Sequence, residues 1–286
     1  MSLINLIHTF IENPFPLWGN NLTEQLVASE WKSFSKHSLT PGRYSTARSY
    51  YKNINIPESN KVKIYGTTVE DSIYIEYPQT KILQNFYEDT GLELLPQSEI
   101  ESINGIEKIS SALQILGTIP GILECLSKVV KCIIILKQDD LEIDISHSDP
   151  NIPFSIFVSV CEESTEISNL RVAESILHEA MHLKLTMIEH NIDLVVPETK
   201  EVYYSPWRDE QRPVRGVLHG LFVFKAILDY YKSINIQFKK PKEKEYLSCR
   251  IDEIENEFEL ITPFVKSNGL TDWGKKIVSM LLQYEN

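Results

Sequence analysis

The run Ser168-Asn169-Leu170-Arg171-Val172-Ala173-Glu174-Ser175-Ile176-Leu177-His178-Glu179-Ala180-Met181-His182-Leu183-Lys184-Leu185-Thr186-Met187-Ile188-Glu189-His190-Asn191 decides the architecture of this chain. Leu170, Ala173, Leu177, Ala180, Leu183 and Met187 recur at three- and four-residue spacings, the stripe of a helix that lays one face on a core. Ser168 or Asn169 is placed to cap its start, because a short polar side chain accepts from the first unpaired N–H groups. Residues four apart share a helix face, so the imidazoles of His178 and His182 can converge on one divalent ion, with Glu179 beside them.

Upstream, residues 129–136 are β-branched and nearly continuous, and after Ser148-Asp149-Pro150-Asn151-Ile152-Pro153 comes Phe154-Ser155-Ile156-Phe157-Val158-Ser159-Val160. These read as buried strands joined by a Pro-rich turn. Residues 21–36 and 98–116 carry helical periodicity, with short β-like pieces such as Val62-Lys63-Ile64-Tyr65 and Ile73-Tyr74-Ile75 between them. Downstream, residues 193–204 are extended in pattern. The segment 205–213, with Pro206 and Pro213, is expected to be an irregular loop. A second helix starts at Val214 and passes through His219, and two more span 243–261 and 271–284, beyond the lysine-rich connector Lys239-Lys240-Pro241-Lys242. The expected fold is α+β and predominantly helical, a small central sheet packed against the HExxH helix with helical regions at both ends. A mostly helical region 1–120 and a metal-site region 121–286 are expected to pack as one globular unit.

With 286 residues and 42% hydrophobic side chains the chain can bury a sizeable core. Its formal charge of -12 argues against binding nucleic acid, which requires a clustered basic surface. Cys125, Cys132, Cys161 and Cys249 lie far apart without a CxxC pair, and the first residues lack the pattern of a signal peptide. A reduced, cytoplasmic protein is expected. No apolar run approaches the roughly 20 residues needed to cross a bilayer, so no membrane partner is expected.

Two histidines do not make a tight site, and a third ligand must come from elsewhere. His190, Glu201, Asp209, Glu210 and His219 are the downstream candidates. His190 lies eight residues past His182, roughly 12 Å along a helix axis, which is too far. The third histidine of the metzincin spacing would fall on Ile188. His219 is the best remaining choice, within Gly216-Val217-Leu218-His219-Gly220, where flanking glycines permit close approach; a satisfied core histidine explains it equally well. If Glu201 or Asp209 is the ligand instead, His219 becomes a group that supports one.

The combination of Leu177-His178-Glu179-Ala180-Met181-His182, Tyr203-Tyr204-Ser205-Pro206-Trp207-Arg208, Arg212-Pro213 and Gly216-Val217-Leu218-His219-Gly220 with Phe224 resembles the HExxH-type peptide hydroxylases. These bacterial proteins accompany ribosomally made, modified peptides and are described as iron- and 2-oxoglutarate-dependent. The resemblance covers about residues 125–232. It implies a non-haem Fe(II) dioxygenase that hydroxylates a side-chain β-carbon of a precursor peptide. His178, His182 and His219 would then hold the metal, consistent with the preference of imidazoles for iron and zinc.

The far carboxylate of 2-oxoglutarate needs a cation, and a guanidinium pairs with it through two parallel hydrogen bonds. Arg212 is the choice, with Arg208 and Arg215 as competitors, against the plain alternative of a surface ion pair with Asp209 or Glu210. Trp207 walls the pocket or simply covers the core. Glu179 has a supporting role in an oxygenase, whereas in the rival reading, a zinc metallopeptidase, it is the general base. A third reading makes the histidines incidental to a binding or structural protein. A leader-bearing peptide needs a groove, which the aromatic-rich residues 44–51 could supply, and the acidic chain would suit a basic leader.

Overall fold

A computed structural model describes residues 1–13, 16–36, 61–68, 71–77, 91–138, 140, 143–150, 154–235, 238 and 240–282. Residues 44–51, read above as a possible groove, fall outside them, as do 151–153 of the Pro-rich turn and Lys239. The fold is α+β and predominantly helical. Its elements are α1 (Leu3–Glu12), α2 (Asn20–Lys36), β1 (Lys61–Tyr65), β2 (Ile73–Glu76), α3 (Gln97–Ser102), α4 (Gly105–Leu116), α5 (Ile122–Val129), β3 (Cys132–Leu136), β4 (Ser146–His147), β5 (Ser155–Ser159) and α6 (Glu166–Glu189). They continue with β6 (Val202–Ser205), β7 (Glu210–Pro213), α7 (Val214–Asn235), α8 (Pro241–Ile261), a 3-10 turn (Thr262–Lys266) and α9 (Asp272–Leu282). No helix among the described residues is long and apolar enough to cross a membrane.

Two compact units form, one from Met1–Leu26 with Lys184–Asn286 and the other from Val27–Leu183. The sheet draws on both of the regions 1–120 and 121–286 named above, because β2 lies parallel to β3 with Tyr74 opposite Cys132. The boundary between the two units falls within α6, between Leu183 and Lys184.

In the unit of residues 27–183 the sheet runs β1-β2-β3-β5-β4, with β2, β3 and β5 parallel and antiparallel strands at both edges. Every residue of β3 and β5 is buried, which is why both read as continuous apolar runs instead of alternating ones. One sheet face carries Cys132, Ile134, Leu136 and Phe157, packed by Tyr74, Leu92, Leu94 and Ile145. The other carries Ile133, Ile135, Ile156 and Val158, and Ser146 of β4 pairs with Val158 on that side. Through that residue the sheet is joined to α6.

The single helix expected over 98–116 is broken into α3 and α4. Asn104 takes a left-handed conformation at φ 54°, which asparagine tolerates, and it sets Gly105 against Ile135 of β3. Helix α5, unread in the sequence, buries Ile122, Cys125, Leu126 and Val129. Lys108 of α4 is buried and donates to the carbonyls of Cys161 and Glu162 at 2.5 and 2.7 Å.

The other unit holds α1, the start of α2, the last residues of α6 and all that follows. Residues 205–213 are not an irregular loop. Strands β6 and β7 form an antiparallel hairpin with Val202 opposite Pro213 and Ser205 opposite Glu210. Its prolines sit where a missing N–H is harmless, Pro206 in the turn and Pro213 at the end of β7, the residue before α7. Asp209 closes the turn at φ 49°.

Candidate metal centre

Helix α6 is capped by Thr165, not by Ser168 or Asn169 as the sequence suggested. Its Oγ1 accepts from the Ser168 backbone N–H at 3.0 Å, and its carbonyl accepts from the Asn169 N–H. Leu170, Ala173, Leu177, Ala180, Leu183 and Met187 are all buried, as their spacing required. His178 and His182, half-buried at the margin of this core, meet with Nε2 atoms 3.1 Å apart and rings at 69°. Two nitrogens each roughly 2.1 Å from one ion lie about 3.4 Å apart at a tetrahedral angle and about 3.0 Å apart at a right angle. The pair is therefore spaced as two ligands of one metal are. Among the described residues no group of three or more His, Cys, Asp or Glu side chains is arranged to hold an ion.

Glu179 points away from the role of free base. Only 3% exposed, it accepts from the Ser146 hydroxyl on Oε1 and from the Ser148 hydroxyl on Oε2, each at 2.6 Å. Its Oε1 lies 3.9 Å from His178 Nε2. Ser146 of β4 and Ser148, just past its end, meet α6 through these bonds, while His147 turns to the other side, beside Phe157. There burial holds the His147 imidazole below its ordinary pKa, with Asp149 opposing, and its Nε2 has no hydrogen-bond partner among the described residues. Sequence reasoning missed both serines. The available signal was the polar run Ser146-His147-Ser148-Asp149 beside apolar strands.

His219 is placed in α7 and buried, its Nε2 2.9 Å from Glu189 Oε2 at the end of α6. The same oxygen accepts from Arg215 Nε at 3.0 Å and Nη2 at 2.7 Å. Burial works to raise the Glu189 pKa, but the His219 and Arg215 hydrogen bonds and charges outweigh it and hold the carboxyl below its ordinary 4.5. A depressed carboxylate contributes stability that is present above 4.5 and lost as pH falls through the folded value. Glu189→Gln is therefore expected to be less stable at neutral pH and to show a weaker decline in acid, read from urea midpoints between about pH 3 and 7.

The glycines flanking His219 have their own explanation. Gly216 leaves room for the Arg212 side chain, and a Cβ at Gly220 would lie 2.4 Å from the Trp207 ring. Trp207 stacks on Phe224 with centroids 5.0 Å apart and meets Phe258 edge-on, so it covers the core of its own unit. Glu201 accepts from Tyr203, Ser267 and the Gly269 N–H, and those bonds, the Ser267 one foremost, lower its pKa. Asp209 accepts from the Tyr204 hydroxyl at 2.8 Å. Each of these rival carboxylates thus has a local structural engagement. Arg212 forms an ion pair with Glu210 at 3.6 Å, Arg208 is exposed in the hairpin turn, and His190 is exposed past the end of α6.

No protein-family model matches this chain, and no curated protein matches it.

Proposed function

We propose that this protein is a non-haem Fe(II), 2-oxoglutarate-dependent dioxygenase that hydroxylates a side-chain β-carbon of a ribosomally made precursor peptide. The observation that carries the reading is the histidine pair with Nε2 atoms 3.1 Å apart beside a buried glutamate held in place by two serine hydroxyls, one to each oxygen. A zinc peptidase needs that glutamate turned to a water. An oxygenase does not. The bound iron supplies oxidation: dioxygen and 2-oxoglutarate are consumed, succinate and carbon dioxide leave, and one oxygen atom enters the substrate C–H bond as hydroxyl.

His178 and His182 hold the metal, and the resemblance noted above offers His219 as a further ligand. For the far carboxylate of 2-oxoglutarate the choice of Arg212 is favoured over Arg215, because Arg215 is already engaged by Glu189 through two hydrogen bonds while Arg212, among the described residues, has only the long pair with Glu210. Arg212→Ala is expected to change stability by less than about 0.5 kcal/mol, as loss of a half-exposed ion pair does, yet to raise the 2-oxoglutarate concentration required by tenfold or more, roughly 1.4 kcal/mol. An unchanged requirement removes Arg212 from the site.

The reading is tested by anaerobic reconstitution with Fe(II) followed by 2-oxoglutarate. A visible charge-transfer band and succinate release on admitting oxygen are expected. Absence of the band, together with zinc-dependent peptide cleavage that Glu179→Gln abolishes, overturns the proposal in favour of the peptidase.

A further inference from the structure

We infer that Glu179 is a positioning residue: gripped through both oxygens by Ser146 and Ser148, it fixes a negative charge beside His178 that strengthens metal binding at the histidine pair without itself being ligand or base. The inference rests on the metal-site reading above and goes further by giving a role to the glutamate, to Ser146 of the edge strand and to Ser148 just past it.

The geometry argues each part. Ser146 lies in β4 and Ser148 just past its end, and the hydroxyls of both close on one carboxylate. One hydroxyl donates to each oxygen at 2.6 Å, the short distance of a hydrogen bond to a charged acceptor. Each oxygen keeps a second lone pair, so the grip acts on orientation: turning the carboxylate toward an ion or a water would break these bonds while buried, where an unmade hydrogen bond is expensive. The charge need not move to be felt. Oε1 stands 3.9 Å from the His178 Nε2 that faces His182, and burial leaves its attraction for a cation held there little screened. A pair of neutral imidazoles supplies no negative charge of its own, so this carboxylate offsets part of the ion's charge from outside the ligand set.

The test is titration of the full chain with Co(II), followed by its visible absorption, alongside urea midpoints of the metal-free proteins. Glu179→Gln keeps the shape and a hydrogen-bonding group but removes the charge; its Co(II) affinity is expected to fall about 10- to 100-fold, the usual effect of losing a partner outside the ligand set. Ser146→Ala/Ser148→Ala releases the carboxylate and is expected to weaken binding likewise, and Ser146→Thr/Ser148→Thr, which keeps both hydroxyls, to restore it. A purely structural Glu179 would shift the urea midpoint and leave the affinity alone. Affinity within twofold of wild type in Glu179→Gln overturns the inference while the metal site stands; failure of the wild-type chain to bind Co(II) overturns both. If Glu179→Gln does not fold, the serine-to-alanine pair carries the reading, and wild-type affinity there overturns the inference.

Discussion

On the function proposed above, a His182→Ala chain is expected to bind Co(II) or Fe(II) at least about a hundredfold more weakly than wild type, and to lose 2-oxoglutarate-dependent succinate release altogether. His178→Ala should match it. The expectation follows from helix geometry: each imidazole is one of two nitrogens held 3.1 Å apart on a buried, rigid helix, so the survivor has no second ring on that face to share an ion. Both rings lie at the margin of the core and only half-buried, so either substitution should leave the urea midpoint within about 1 kcal/mol of wild type. Calorimetric titration with the metal and a urea melt on the same preparation check the two halves. A His182→Ala chain that binds metal as tightly as wild type would remove the helix pair as the centre.

The second large effect is structural and lies two residues further along the same helix. Lys184 is fully buried, and its Nζ donates to the Leu17 carbonyl at 2.6 Å, the Gly19 carbonyl at 3.2 Å and the Thr23 hydroxyl at 2.7 Å. It also lies 5.9 Å from the centre of the Phe10 ring. One ammonium thereby ties the α1–α2 connection to α6. Lys184→Ala is expected to cost about 3–5 kcal/mol, because it leaves a cavity and strips buried carbonyls of their donor. Lys184→Met refills the volume without a donor and should recover only the packing share, leaving roughly 1–3 kcal/mol of loss. Chemical denaturation of the three proteins separates the terms; a Met variant as stable as wild type would show that the hydrogen bonds contribute nothing net.

Much of this was legible along the chain. The core stripe of α6, the apolar strands β3 and β5, the weaker β1 and β2, and the helices after Val214 all follow from residue period and side-chain shape. Two of the readings that failed did so for reasons the structure identifies. Residues 98–116 have unbroken helical periodicity, yet the close approach of Gly105 to Ile135 favoured a break at Asn104, a packing demand that spacing does not record. Residues 205–213 read as loop because of their prolines, but an isolated two-strand hairpin has open edges on which Pro213 lacks no needed bond. The glycines beside His219 read as permitting close approach, and the side chains that approach them are Arg212 and Trp207.

Sequence by itself determined the histidine pair, since residues four apart on a helix share a face whatever else the chain does. It determined also that α6 must be laid on a core and that the strands before it are buried. Tertiary structure alone decided what Glu179, Glu189 and His219 do. Glu179 meets serines 31 and 33 residues upstream, and Glu189 meets a histidine 30 residues downstream. Such partners are chosen by how strands and helices pack, and the energy that selects them belongs to burial and satisfied hydrogen bonds across the fold, which no local spacing encodes.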